Sequence, residues 1–184
     1  MMEIAIFASN NGSNFEAIIQ YFKHLKNKTL KKHNLHFVLV TNNKQAYAIR
    51  RAKRLKIKHF FIKHENLTDF LNKNKFDLCV LSGYMRIVEK DSLTTSTFIN
   101  IHPSFLPNYK GKNAIKRIYK DKSFDSSGIS IHYVNENVDD GEIIFQKKVK
   151  FDTNTSYSQY EKKIHKVEHN IYPRIIEKIL LSLC

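Results

Sequence analysis

The sequence contains no tryptophan and only two cysteines, Cys79 and Cys184. Cys79 lies inside an apolar run and Cys184 is the last residue, so the two thiols are not closely spaced. This distribution shows neither a disulfide framework nor the cysteine spacing of a structural zinc site. We therefore expect a protein of the reducing cytoplasm that binds no metal.

Long apolar segments are also missing. No run approaches the roughly 20 apolar residues that a membrane-spanning helix needs. The first residues, 1–7, carry an acidic residue and a short apolar run, whereas a signal peptide has a basic start and a longer apolar stretch. We expect a cytoplasmic protein without a membrane partner.

Acidic residues are few, 17 against 31 lysines and arginines, which gives a net charge of +14. Such an excess suits nucleic acid or an acidic membrane surface. The lysines, however, are scattered along the whole chain, without an arginine-rich tract. We interpret the charge as background that helps to attract anionic small molecules, and expect no nucleic-acid partner. A basic nucleic-acid-binding module is the alternative, and it predicts a basic stripe with interleaved aromatic residues on one face.

Short apolar runs alternate with helical patterns along the chain. The predicted strands cover residues 3–8, 36–41, 59–62, 77–82, 98–102, 128–134 and 143–151. The predicted helices cover residues 14–25, 45–55, 67–74, 113–119 and 156–183. Pro173 should kink or divide the last helix.

This alternation predicts an α/β fold, with a Rossmann-like open, mostly parallel sheet and helices on both faces. The strands 128–134 and 143–151, joined by a turn at 139–141, predict an antiparallel C-terminal addition. The first of them alternates apolar and polar residues, which is typical of a half-exposed strand. Since no repeat or linker is visible, we expect one domain over residues 1–184.

Ligands of open α/β sheets bind at the carboxyl ends of the strands, and the first such end carries Asn11, Gly12, Ser13 and Asn14. Gly12 permits a tight turn, and Ser13 or Asn14 can cap the helix that follows. Free amides at a helix N-terminus form an anion site, with an ordinary capped turn as the alternative. The loop matches neither GxGxxG nor a Walker loop, which disfavours a dinucleotide or ATP.

Asn100 and His102 lie two residues apart at another strand end, so their side chains point the same way. Together they could stabilise an oxyanion on a carbonyl, or they could simply cap the strand. The adjacent Asp139 and Asp140 either form a solvated turn, or one of them orients His102 and raises its pKa. A metal site of His102, His132 and Asp139 is conceivable, but no compact ligand spacing supports it.

Taken in order, these elements resemble the phosphoribosylglycinamide formyltransferase family, one of the folate-dependent formyltransferases. The matching stretches are residues 11–14 (NGSN), 82–87 (SGYMRI), 100–107 (NIHPS-x-LP), 128–134 with His132, 138–141 (VDDG) and 168–173 (EHNIYP). The NIHPS-x-LP block is shared by folate-dependent formyltransferases in general. The NGSN and EHxxYP blocks indicate the purine enzyme.

The resemblance implies formyl transfer from 10-formyltetrahydrofolate to the amine of glycinamide ribonucleotide, through a tetrahedral oxyanion. It implies that Asn100 and His102 bind the oxyanion and that Asp139 keeps His102 protonated. The ribonucleotide would be bound by Gly12, Ser13, Asn14, His165 and Glu168. The folate would be bound by Met85, Arg86, Ile87, Val88, Asn100, Val138 and Asp139. We expect no metal, and a monomer or a weak homodimer.

Some positions depart from the family pattern. Asn10 stands where the family usually has glycine, and Asp140 where a small residue is common; the resemblance favours Asp139 as the acting carboxylate. An arginine that faces the folate tail has no clear counterpart, and Lys63 is the candidate.

Other formyl enzymes are less suitable. A methionyl-tRNA formyltransferase would need a further C-terminal domain, and a formyltetrahydrofolate hydrolase an N-terminal regulatory domain, for which 184 residues leave no room. The NGSN and EHxxYP blocks argue against a sugar-nucleotide formyltransferase.

Overall fold

The computed structural model describes residues 1–152 and 154–184. The strands are β1 (Met2–Phe7), β2 (Leu35–Thr41), β3 (Lys58–Phe61), β4 (Leu78–Leu81), β5 (Phe98–His102), β6 (Gly128–Tyr133) and β7 (Ile143–Lys148). The α-helices are α1 (Ser13–Lys23), α2 (Lys28–Lys32), α3 (Tyr47–Leu55), α4 (Leu67–Lys73), α5 (Lys90–Leu93), α6 (Ala114–Lys120) and α7 (Tyr157–Ser182). Short 3₁₀ turns occupy His64–Asn66 and Phe124–Ser126.

The strands form one seven-stranded sheet in the order β3-β2-β1-β4-β5-β6-β7. The first five strands pair in parallel, and β6 and β7 add to β5 in antiparallel fashion. This confirms the predicted α/β fold with its antiparallel C-terminal addition. The strand order reverses between β1 and β4, where a crevice forms in such sheets. The loops after these two strands meet there, since the Ser9 amide donates to the Gly83 carbonyl oxygen at 3.1 Å.

Both faces of the sheet are covered, because alternate residues of a strand point to opposite sides. Ile4 and Ile6 of β1 pack with α1, α3 and α7, whereas Ala5 and Phe7 pack with α4. All four side chains are buried. Burial of each large apolar side chain contributes roughly 1.5–3 kcal/mol. This two-sided burial explains why β1 appears in the sequence as a continuous apolar run.

The last helix, α7, continues through Pro173, so the predicted division there is wrong. A proline inside a helix costs about 3 kcal/mol or more. Its neighbour Tyr172 is fully buried, and its hydroxyl donates to the Leu81 carbonyl oxygen of β4 at 2.9 Å. This packing holds the helix across the proline and fixes Glu168, one turn earlier, against the edge of the sheet.

The predicted half-exposed character of β6 is also wrong. Tyr133 alone of its residues is exposed, while the polar Ser130 and His132 are buried. The Ser130 hydroxyl donates to the Ser104 carbonyl oxygen at 2.7 Å and accepts from the Leu106 amide at 3.0 Å. The loop after β5 therefore covers the polar face of this strand in place of water.

The short helices α2 and α5 have no counterpart in the predicted pattern. Helix α2 is capped by Asn27, whose side chain accepts from the amides of Thr29 and Leu30. Five residues are too few for a helical period to stand out. Within the described ranges, no helix is long and apolar enough to cross a membrane.

Candidate active site

A cleft of about 970 Å³ opens at the carboxyl ends of β1, β4 and β5. Apart from Lys63, every residue that the resemblance assigns to catalysis or binding lines this cleft. They are Gly12, Ser13, Asn14, Met85, Arg86, Ile87, Val88, Asn100, His102, Val138, Asp139, His165 and Glu168. The fold thus brings together side chains that are far apart in the sequence, while their individual roles stay predictions.

The first wall of the cleft is the N-terminus of α1. Gly12, in a left-handed conformation with φ of 71°, occupies the cap position, and no side chain within the described residues caps the helix. The prediction that Ser13 or Asn14 caps it is therefore wrong. The first-turn amides, together with the helix dipole, stay available to an anion. A Cβ atom on Gly12 would lie 2.6 Å from the Ala48 Cβ, so the glycine also permits the close approach of α3.

Arg51 of α3 forms hydrogen bonds with Asn11 in the loop before α1. Its Nε donates to the Asn11 carbonyl oxygen at 2.9 Å, and its Nη2 donates to Asn11 Oδ1 at 2.6 Å. Arg51 and its neighbour Arg54 both pair with Glu16 on α1. Arg51 therefore ties the loop before α1 to α3, and Glu16 ties α1 to the same helix.

Glu168 and His165 of α7 form the facing wall. Glu168 is buried, and its Oε2 accepts from Asn14 Nδ2 at 3.2 Å and lies 2.8 Å from His165 Nδ1. The hydrogen bond to Glu168 raises the pKa of His165 despite the opposing effect of burial. Within the described part of the chain, the buried Asn14 Oδ1 has no hydrogen-bond partner. It is an acceptor available to a ligand donor.

Asn100 and His102 project from β5 toward Asp139. His102 Nδ1 lies 3.1 Å from Asp139 Oδ2, and Asn100 Nδ2 donates to Asp139 Oδ1 at 3.2 Å. His102 Nε2 donates to the Tyr109 carbonyl oxygen at 2.9 Å, because a carbonyl only accepts. The Gly111 amide donates to Asp139 Oδ2 at 2.7 Å. An amide, an imidazole and a carboxylate therefore meet at one point.

Burial lowers the pKa of His102 and outweighs the Asp139 carboxylate, which raises it. The predicted effect of Asp139, which is to raise this pKa, is therefore present but smaller than the effect of burial. Burial raises the pKa of Asp139, but contacts with His132, His102 and the Gly111 amide outweigh it and lower the pKa overall. The carboxylate is thus ionised at neutral pH. Both ring nitrogens of His102 face acceptors, so a negative charge forming nearby would favour the protonated ring.

His132, which the sequence placed in the matching stretch 128–134 and in a disfavoured metal site, lies beside Asn100 and Asp139. Its Nδ1 lies 2.7 Å from the Tyr133 carbonyl oxygen and donates to it. Its Nε2 lies 3.2 Å from Asn100 Nδ2 and 3.5 Å from Asp139 Oδ1. Among residues 1–152 and 154–184, no group of three or more His, Cys, Asp or Glu side chains could hold a metal ion.

One mouth of the cleft is apolar. Met85, Ile87 and Val138 line it with 41%, 60% and 45% of their surface exposed. The Met85 amide donates to Ser9 Oγ at 2.9 Å, which fixes the segment after β4. Exposed apolar side chains gathered at a cleft mouth are typical of a site for a flat, partly apolar ligand.

Lys63, the candidate for the missing family arginine, does not line the cleft. Its Nζ lies on the surface, 3.8 Å from Glu65 Oε1. The next residue, His64, does line the cleft, with Nδ1 3.1 Å from the Tyr84 hydroxyl. The suggestion of Lys63 is therefore wrong.

Further cleft residues come from the loop before α6 and from α6 itself. They are Gly111, Lys112, Asn113, Ala114, Ile115 and Lys116. Asp140 instead is half-exposed and pairs with Lys110, so Asp139 is the carboxylate that faces the cleft. The sequence did not predict a site role for these residues, because lysines in a lysine-rich sequence do not indicate a site. Only the closeness of this loop to the NIHPS block along the chain could have indicated that it lines the cleft.

Comparisons with known proteins agree with this geometry. A model of the family described as formyl transferase matches residues 2–176. The phosphoribosylglycinamide formyltransferase of Bacillus subtilis is 35% identical over 98% of this chain and 95% of its own length. The Haemophilus influenzae protein of the same name is 31% identical over 96% of this chain and 86% of its own length.

A solved structure gives the same result. The crystal structure of phosphoribosylglycinamide formyltransferase from Bacillus halodurans superposes with a TM-score of 0.83, at 31% identity, over 97% of this chain and 95% of that chain. The predicted resemblance is therefore confirmed. With sequence, fold and cleft in agreement, this chain belongs to the formyl transferase family, among its phosphoribosylglycinamide formyltransferases.

Proposed function

We propose that the protein transfers the formyl group of 10-formyltetrahydrofolate to the amine of glycinamide ribonucleotide, a step of purine synthesis. The observation that carries this proposal is the meeting of Asn100, His102 and Asp139 in the cleft that also contains the uncapped end of α1. The names of the similar proteins support the same reaction.

The ribonucleotide would occupy the side of the cleft between α1 and α7. The free amides after Gly12 and the imidazolium of His165 suit a phosphate, since both supply positive charge and donors. The Glu168 carboxylate and the Asn14 Oδ1 atom are acceptors for hydroxyl or amine groups of the substrate. The substrate amine would then point toward β5.

The folate would occupy the apolar mouth. Met85, Ile87, Val88 and Val138 supply apolar walls, and the backbone of this segment supplies donors and acceptors for the edge of a pterin ring. Arg86 lies in the same segment and suits the carboxylates of a folate. When bound, the folate supplies an activated formyl carbon.

Attack by the substrate amine places negative charge on the formyl oxygen. Asn100 Nδ2 would donate to this oxygen on giving up one of its two present contacts, with Asp139 Oδ1 or with His132 Nε2. Protonation of His102 places positive charge beside the oxygen. Asp139 stabilises that imidazolium and, with His102, moves a proton from the attacking amine toward the leaving nitrogen through water. Removal of one such donor typically costs about 2.7–4 kcal/mol of barrier.

An absorbance assay of the purified protein tests the proposal, with each substrate omitted in turn. We expect tetrahydrofolate and formylated ribonucleotide only when both substrates are present. Release of formate without the ribonucleotide would indicate a hydrolase. Salt-dependent oligonucleotide binding without any turnover of folate would support the nucleic-acid module.

We also propose that the protein works in the cytoplasm as a monomer or weak homodimer, with residues 1–184 as one domain and without a nucleic-acid or membrane partner. Burial raises the pKa of the Cys79 thiol to about 12, which suits a reduced, unreactive cysteine. Sedimentation velocity at several concentrations tests the oligomeric state, and a stable tetramer would contradict it.

A further inference from the structure

The loop before α6 has an unusual backbone. Tyr109, Gly111 and Asn113 adopt positive φ angles of 56°, 79° and 58°. Side chains disfavour this conformation, which is unusual for a bulky residue such as tyrosine. Contacts from outside the loop must therefore hold it in place.

Arg117 of α6 supplies those contacts. Its Nη2 donates to the carbonyl oxygens of Tyr109 at 3.0 Å and of Gly111 at 3.5 Å, and also to that of Lys110. The guanidinium carbon lies 5.6 Å from the centre of the Tyr109 ring. One side chain thus gathers three successive carbonyl groups.

The same loop holds both acting groups of the cleft. The Tyr109 carbonyl oxygen accepts from His102 Nε2 at 2.9 Å, and the Gly111 amide donates to Asp139 Oδ2 at 2.7 Å. His102 and Asp139 also contact each other at 3.1 Å. A shift of the loop would therefore move the imidazole and the carboxylate relative to the reacting carbon.

We propose that Arg117 is a positioning residue for His102 and Asp139 and acts through the backbone of residues 109–111. Arg117 is not among the described residues that line the cleft, and its hydrogen bonds go to the carbonyl groups of the loop. The kinetic consequence rests on the proposed function, whereas the effect on the His102 ring does not.

The test variant is Arg117→Lys, which keeps the positive charge on a shorter side chain but loses the planar guanidinium that contacts the Tyr109 ring. Misplacement of a reacting group by about 1 Å can cost about 100-fold in rate. We expect kcat to fall about 10- to 100-fold, with the KM values of both substrates within about twofold of the wild type. Arg117→Gln should lose at least as much, and it replaces Arg117→Lys if that variant does not fold.

Lys120→Ala is the matched control, because Lys120 is an exposed cation on the same helix. It should leave kcat unchanged. Thermal unfolding of each variant reports on the fold. A wild-type kcat in Arg117→Lys would overturn the proposal. A fall in stability and kcat together with a rise in both KM values would also overturn it, because that combination indicates a merely structural role.

A second readout needs no turnover. In the wild type, nitrogen-15 NMR of the histidine rings should show that the proton on His102 Nε2 is hydrogen-bonded to a carbonyl oxygen. In Arg117→Lys the signal of this proton should shift. A displaced signal in a protein that transfers no formyl group would support the positioning role and reject the proposed function. An unchanged His102 signal would reject the positioning role, whatever the activity.

Discussion

His102 and Asp139 contact each other between neighbouring elements of the sheet, with Nδ1 3.1 Å from Oδ2. The histidine ends β5, and the aspartate lies in the turn between β6 and β7. The antiparallel register places the end of β6 opposite Ile99, at the other end of β5 from His102. The turn after β6 therefore folds back along β5 to bring the Asp139 carboxylate to His102.

The two adjacent aspartates should differ sharply in their effect on turnover. Asp139→Asn removes the carboxylate that supports a protonated His102, and loss of an acid–base group costs about 10²–10⁴-fold in rate. We expect kcat to fall within that range and the pKa of His102 to fall further. Asp140→Asn is the control, since its exposed pair with Lys110 contributes little, and it should keep kcat within about twofold. Equal losses in both variants would contradict the assignment of Asp139.

Arg51 should affect binding of the ribonucleotide rather than chemistry. Arg51→Ala frees Asn11 and loosens the loop that presents the α1 amides, so the KM of the ribonucleotide should rise about tenfold with kcat little changed. Arg54→Ala is the matched control, because Arg54 also pairs with Glu16 but does not contact Asn11. Steady-state kinetics at varied ribonucleotide concentration measures both. An equal KM in the two variants would count against the loop as the phosphate site.

His165 should make substrate binding depend on pH. Its pKa is raised by the hydrogen bond to Glu168, and Glu161 and His169 are the other titratable groups that act on it. The cation that attracts the phosphate is complete below this raised pKa and is lost as the pH increases through it. The KM of the ribonucleotide should therefore rise about tenfold on the alkaline side.

His165→Lys is the control for this pH dependence. Lysine keeps its charge to about pH 10.4, so its KM should stay flat over the same interval. A wild-type KM that does not change with pH, or the same slope in His165→Lys, would exclude His165 from phosphate binding.

Gly12 should matter for stability as well as for binding. Gly12→Ala places a Cβ atom 2.6 Å from the Ala48 Cβ in a left-handed conformation. The conformation costs about 1–2 kcal/mol and the overpacking about 1–3 kcal/mol. Gly111→Ala has a φ of 79° but nothing within 4 Å, so only the first cost applies. Urea unfolding should rank Gly12→Ala as the less stable variant, and the reverse order would refute the close approach of α3.

The sheet was predictable because two-sided burial makes parallel strands into short apolar runs, as in β1 and β4. The burial of Ser130 and His132 was not, since local alternation cannot show that a loop covers the polar face. The continuity of α7 through Pro173 depends on contacts such as Tyr172 with Leu81, which lie far apart in the sequence.

The sequence predicted those parts of the site in which the polar side chains have a fixed spacing along one strand. Asn100 and His102 share a face because of the two-residue period of a strand. The net pKa direction of His102 was not predictable, because burial depends on the whole fold. Arg117 left no sequence signal, since its partners are backbone carbonyl groups that any residue provides.

The most direct test of the account is the single-turnover rate of formyl transfer in His102→Ala, with both substrates saturating. We predict a loss of at least about 100-fold, in a variant whose circular dichroism and unfolding midpoint show a retained fold. A rate close to that of the wild type would contradict the claim that this imidazole stabilises the charge on the formyl oxygen.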